Sequence, residues 1–146
     1  MARETFRGAI PDGLWYDAAH DMWLRREDGE IVVGATAFGI FLVGELVAFT
    51  AKPPGAVIAR GRGLGTIECS KTVLAVHAPV SFVLTTANEQ AEAKPRLINA
   101  DPYRVGWMAR GRPLAWDTEA AALVDAAAYR RHVLHMEPGA VIGEST

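Results

Sequence analysis

"GTIECSKTVLAVHAPV", residues 65–80, sets a single lysine between two apolar runs. The stretch reads as a strand, a tight turn and a second strand, with the Lys71 ammonium at the tip. The chain holds three lysines, Lys52, Lys71 and Lys94, against twelve arginines. A solvated positive charge alone would more often be arginine here, so Lys71 is read as a lysine kept for its amine. A rigid hairpin tip projects one amine away from the body, where a modifying enzyme and later partners can reach it. The plain alternative is a solvated turn residue.

Outward from the hairpin the pattern stays one of short strands. "LWYD" and "MWLRRE" are predicted strands, and the Asp28-Gly29 turn joins the second to "IVVGAT". "AFGIFLVG" is expected to make one or two helical turns before a strand at "ELVAFT". "KPPG" breaks the chain at 52–55. Gly61, Gly63 and Gly65 lack the strand–loop–helix context of a nucleotide site and suit a tight loop before the hairpin. "APVSFVLTTAN" is a strand, "EQAEAKPRLINADPY" a loop with a possible short helix, and "GWMARGRPLAW" a late strand. Residues Thr118 to Met136 are predicted helical, with Asp117 or Thr118 as N-cap and Asp125 capping a second helix after a kink. One domain spans 1–146, with 1–13 and 137–146 expected to be tails.

A net charge of −2 gives no basic footprint for nucleic acid. The single cysteine, Cys69, rules out an intrachain disulfide and suits a reducing cytoplasm. The longest uncharged stretch, Ile31 to Gly44, is fourteen residues, short of a membrane span. A soluble cytoplasmic protein is expected, with no membrane partner. His132 and His135 lie three apart on the predicted helix but no Glu or Cys joins them in sequence, so no metal site is expected.

Several segments together resemble the glycine cleavage H proteins. "ECSKTVLAVHAPVS" is similar to that family's lipoyl-attachment hairpin, where Glu precedes the lysine by three positions. "HDMWLR", "VGATAFGIFLVGELV", "LINADPYRVGWM" and "LVDAAAYRRHV" follow other family segments in order, from about Leu14 to His132. The resemblance implies a mainly β fold: a lipoyl-domain-like flattened β-barrel/sandwich hybrid with short flanking helices and a C-terminal helical segment. It implies lipoate attached to Lys71, with Glu68 recognised by a lipoate–protein ligase or lipoyl transferase. It also implies a carrier rather than an enzyme, with lipoamide dehydrogenase among its partners.

The chain departs from the family at several points. Cys69 stands two before the lysine, and by strand alternation would share its face, near the arm; a packing role is the alternative. Phe82 stands where the family has a glycine eleven residues after the lysine, beside the region a ligase would touch, whereas the upstream Gly55 is retained. Phe82 is open to two readings: altered partner recognition, or core filling. Met108, Arg110 and Arg112 replace an alternating Lys/Ile strand, and the arginines are expected on the solvated side of an edge strand. His77 stands where the family often has Tyr and is expected to be structural, and His20 is a candidate for the surface on which an arm rests. Biotin acceptors, on the same architecture, place Met on both sides of the lysine, unlike Ser70 and Thr72. The departures resemble the lipoate-binding proteins of the sulfur-oxidising heterodisulfide-reductase-like system. They imply an arm that carries sulfur intermediates between that system's enzymes. A glycine cleavage H protein carrying an aminomethyl group, and an unmodified binding module, are the alternatives.

Overall fold

A computed structural model describes residues 4–143. In chain order the strands are β1 (Arg7–Ala9), β2 (Trp15–Asp17), β3 (Met22–Glu27), β4 (Glu30–Ala35), β5 (Leu46–Ala51), β6 (Val57–Ile58), β7 (Gly63–Cys69), β8 (Val73–His77), β9 (Phe82–Ala87), β10 (Ala109–Pro113) and β11 (Val141–Gly143). The helices are α1 (Ala37–Val43), α2 (Glu89–Ala93), α3 (Arg96–Ala100), α4 (Trp116–Glu119) and α5 (Ala126–Met136).

Two sheets carry the fold. One is six-stranded in the order β2-β3-β4-β10-β9-β6, the other three-stranded in the order β5-β7-β8. They face each other across one core: Met22, Leu24, Ile31, Val33 and Leu84 from the first meet Leu46, Phe49, Leu64, Ile67 and Val76 from the second. The sheets are not hydrogen-bonded into a closed barrel, so the mainly β lipoyl-domain-like expectation takes the form of a sandwich.

The larger sheet is covered on its other face as well. Trp23 and Val32 point away from the sandwich, toward Phe6, Phe38, Tyr129 and Val133. This double burial explains why "MWL" and "IVV" show no polar alternation. Trp23 lies across Gly34, its register partner on β4, where a Cβ would come within 2.7 Å of the indole. The β3–β4 turn has positive φ at both Asp28 (52°) and Gly29 (78°), as a two-residue hairpin requires.

Three expectations change. The arginine-bearing strand β10 is central, between β4 and β9, and not an edge. Arg110 there contacts Glu30 (2.7 Å) and Glu27 (3.0 Å), while Arg112 is exposed. The helix expected over 118–136 is interrupted. Residues 120–122 form a short 3-10 turn, and Val124 then exchanges backbone hydrogen bonds with Tyr16 (2.8 and 2.9 Å). That bridge overrides the helix propensity of the alanines, and Asp125 restarts the helix by accepting from the Ala128 N–H (2.9 Å). Asp117 and Thr118 lie inside α4, whose N-cap position is Ala115. Finally, the presumed tails hold β1 and β11, which pair in parallel from Arg7↔Val141 to Ala9↔Gly143. Phe6, buried beside α1, draws the N-terminal segment into the second core, which sequence polarity concealed.

Candidate functional site

The β7–β8 hairpin is built as the sequence suggests. Glu68 pairs with Val73, and the Cys69 N–H donates to the Thr72 carbonyl (3.0 Å), leaving Ser70 and Lys71 as the two residues of the tip. Among the described residues the positive non-glycine φ values are at Asp21 and Asp28, so this tip needs neither Gly nor Asn. Lys71 is exposed, and no described residue holds its ammonium by a hydrogen bond or ion pair. An amine so placed can form an amide without breaking any contact, which is what a covalent arm requires.

Glu68 is exposed on β7, on the face opposite the buried Ile67. Cys69 is half-buried at the strand's end, with Sγ 3.7 Å from the Thr72 carbonyl oxygen. Since Lys71 lies in the turn, strand alternation does not carry through to it, and Cys69 is not placed on its face by that rule. The glycine-rich approach to the hairpin serves packing. Gly61 has φ 82°, and a Cβ on Gly65 would run into the backbone at Thr50 on β5.

Phe82 is fully buried. Its ring lies over Gly111, where a Cβ would come within 2.5 Å of the ring and overlap the Val83 carbonyl. The two positions are therefore complementary: a ring on β9 fills space that a glycine on β10 leaves open. Of the two readings for Phe82, core filling is the one the structure bears out.

His20 and His77, from separate segments, stack with ring centroids 4.6 Å apart. His77 Nδ1 lies 2.8 Å from the Gly61 carbonyl oxygen and His20 Nδ1 3.0 Å from an Asp17 carboxylate oxygen. The pair borders a cavity of about 250 Å³ between α1 and the hairpin, walled by Met22, Ile40, Ile67, Leu74 and Met108. Asp21 is the carboxylate in its lining. Its Oδ1 accepts from the Tyr129 hydroxyl (2.7 Å), which is also 2.7 Å from Thr36 Oγ1. Burial pushes the Asp21 carboxyl above its ordinary range, and burial likewise raises Tyr129. His132 stacks on Tyr129 and His135 is exposed in the last turn of α5. No sequence spacing signals the His20–His77 contact, because it joins a loop to a strand more than fifty residues away.

The profile of the glycine cleavage H-protein family matches residues 14–136. The chain belongs to that family. It is 38% identical to the glycine cleavage system H protein of Laribacter hongkongensis over 125 residues, covering 85% of this chain and 97% of that one. It is 34% identical to glycine cleavage system H protein 2 of Aquifex aeolicus, covering 83% of this chain and 76% of that one. Among solved structures, the glycine cleavage system H protein from Mycobacterium marinum superposes with a TM-score of 0.74 at 29% identity, covering 84% of this chain and 98% of that one. Glycine cleavage H proteins carry lipoate covalently on a lysine and act as carriers rather than enzymes. In this H-protein family member no described helix is long and apolar enough to cross a membrane.

Proposed function

We propose that this H-protein family member is a lipoyl carrier with the arm attached as an amide to Lys71, passing an aminomethyl group in glycine cleavage. The observation that carries this reading is the unpartnered Lys71 at the two-residue tip of a hairpin anchored in the sandwich core. In the attached group, the dithiolane holds its S–S bond in a five-membered ring, far from the ~85–100° dihedral of a relaxed disulfide, so it opens and recloses readily. The protein's part is mechanical and electrostatic. Strands β7 and β8 hold the tip at a fixed height, Glu68 offers a carboxylate to the attaching ligase or lipoyl transferase, and the tether raises the arm's effective concentration at partner sites. The partners are a pyridoxal-phosphate decarboxylase, a folate-dependent transferase and lipoamide dehydrogenase.

A second reading keeps the arm and changes its load to sulfur intermediates passed between heterodisulfide-reductase-like enzymes in the cytoplasm. One observation favours it: a free thiol at Cys69, two residues from the arm's root.

Intact mass of protein from its own cells, with mapping of the Lys71 peptide, tests the attachment. The expected result is a lipoyl increment on Lys71, lost in Lys71→Arg; a bare lysine throughout native protein rejects both readings. Lipoylated protein in reconstituted glycine cleavage separates the loads. Vigorous glycine oxidation sinks the sulfur reading, and none, with sulfur transfer retained, sinks the aminomethyl one. Cys69→Ser then tests the thiol: unchanged sulfur transfer retires it.

A further inference from the structure

Helix α1 stands between two cavities. One, of about 500 Å³, separates it from the N-terminal segment, with Phe6, Phe41 and Tyr103 in its lining. The other is the cavity of about 250 Å³ beside the hairpin, and Ile40 lines both. A helix of seven residues is too short to be stable by itself, so α1 depends on what covers it. Side chains pin its ends: Thr36 Oγ1 accepts from the Gly39 N–H (3.0 Å), and Asn99 Nδ2 donates to the Gly44 carbonyl (2.9 Å). The aromatic face between those ends is covered from the N-terminal segment. Phe6 meets Phe38 and Phe41 edge-on, with ring centroids 5.3 and 5.5 Å away. The Tyr103 hydroxyl accepts from the Ala37 N–H (3.0 Å) and donates to the Ala9 carbonyl (2.6 Å), which ties the first turn of α1 to the end of β1.

Strand β1 is held in turn by β11, its strand partner among the described residues. The Val141 N–H donates to the Phe6 carbonyl (2.8 Å), so the bond from β11 falls on the residue whose ring covers α1. Both strands lie outside residues 14–136, the span that the family profile matches. We propose that β11 is a strap that governs α1. While it is paired, Phe6 is seated and α1 is closed. When it lets go, Phe6 is freed, Phe38 and Phe41 lose their cover, and the helix loosens between its pinned ends. Because Ile40 belongs to both walls, the cavity beside the hairpin then opens from the α1 side.

The strap is built to yield first. It has three register pairs, from Arg7↔Val141 to Ala9↔Gly143, and Val141 is 44% exposed. The sandwich below it has long ladders and a shared core. A short pairing with few buried contacts opens locally, without unfolding the rest of the domain. The inference rests on packing and hydrogen bonds alone, and it stands whether or not Lys71 carries an arm.

Native-state hydrogen exchange on the full-length wild type tests the coupling. The Ile40 and Gly44 amides of α1 should exchange with the Val141 amide in one opening, with a common denaturant dependence. That opening should be at least about tenfold faster than exchange in β9 and β10. Val141→Pro removes the N–H given to Phe6 and should speed α1 exchange by about a further tenfold while leaving β9 and β10 unchanged; Val141→Ala keeps the N–H and should match wild type. Methionine oxidation by peroxide reads the cavity. Met22 and Met108 in its wall are 3% and 0% exposed, and Met136 outside it is 58% exposed. Relative to Met136, both wall methionines should oxidise faster in Val141→Pro than in wild type. The strap is overturned if the α1 amides stay as slow as β9 and β10 while Val141 exchanges freely. Unchanged oxidation of Met22 and Met108 in folded Val141→Pro overturns its link to the cavity.

Discussion

Phe82→Gly installs the glycine expected here from the family resemblance, and its consequences separate packing from recognition. The ring is fully buried between the sheets, covering Gly111 on β10 and paired across β6 with Ile58. Truncating a buried Phe to Ala costs about 3–5 kcal/mol, and a glycine inside a strand adds roughly 0.5–1. The expected loss is therefore about 4–6 kcal/mol, a large share of the roughly 5–15 kcal/mol that stabilises a domain. With a urea slope of about 2 kcal/mol/M, the midpoint should fall by about 2–3 M. The four tryptophans make fluorescence a direct assay of unfolding. Phe82→Leu, a milder variant that keeps most of the apolar volume, should cost only about 1 kcal/mol.

Attachment of lipoate should be unaffected wherever the variant is folded, because no part of the ring reaches the surface. Initial rates with a purified lipoate–protein ligase measure this, on Phe82→Leu and on Phe82→Gly under stabilising conditions. A several-fold change in attachment rate with an unchanged urea midpoint would refute the packing account and return Phe82 to a recognition role.

Other substitutions probe the charges around the framework. Arg110→Met should destabilise by about 1 kcal/mol at pH 7, since the guanidinium bridges Glu27 and Glu30 on the solvent side of a central strand. Hydrogen bonds from arginines, Arg25 first at Glu27 and Arg110 first at Glu30, hold both carboxyls below their ordinary range; the deficit should therefore shrink as pH falls through that range, read by urea midpoints. Asp21→Asn should show the opposite sign. Burial raises the Asp21 carboxyl, so wild type loses stability as pH rises through its folded-state value. Asn keeps an acceptor for Tyr129 and tolerates φ 56°, and the variant should be more stable than wild type at pH 7 and equal to it near pH 3. Tyr129→Phe removes the hydroxyl that Asp21 and Thr36 share and should lower stability by about 1–3 kcal/mol in thermal melts.

Local chemistry made much of the fold legible. Asp28-Gly29 announced its hairpin through the positive φ it can adopt, and Asp125 announced a helix start through its carboxylate. The Lys71 hairpin was readable because its pairing is between near neighbours. Long-range pairing was less legible. Polar residues at both termini suggested tails, although a few backbone hydrogen bonds and Phe6 are enough to dock them. Arg110 suggested an edge strand, yet it occupies a central one whose outer face is open enough for a guanidinium between two carboxylates. The alanines of 118–128 suggested helix, and a two-bond bridge to Tyr16 overruled them.

The same division applies to the site. Attachment depends on a tip, a contiguous feature, and the chain displays it within residues 68–73. The cavity beside the hairpin is built from separate segments: His20 from the β2–β3 loop, His77 from β8, Asp21 fixed from α5 through Tyr129. Each looks structural when read in its own segment. Their juxtaposition arises only in the folded chain, where the stacked imidazoles border the cavity that Asp21 also lines. Family resemblance, carried mainly by the tip and the framework, therefore speaks more strongly about the presence of an arm than about its load.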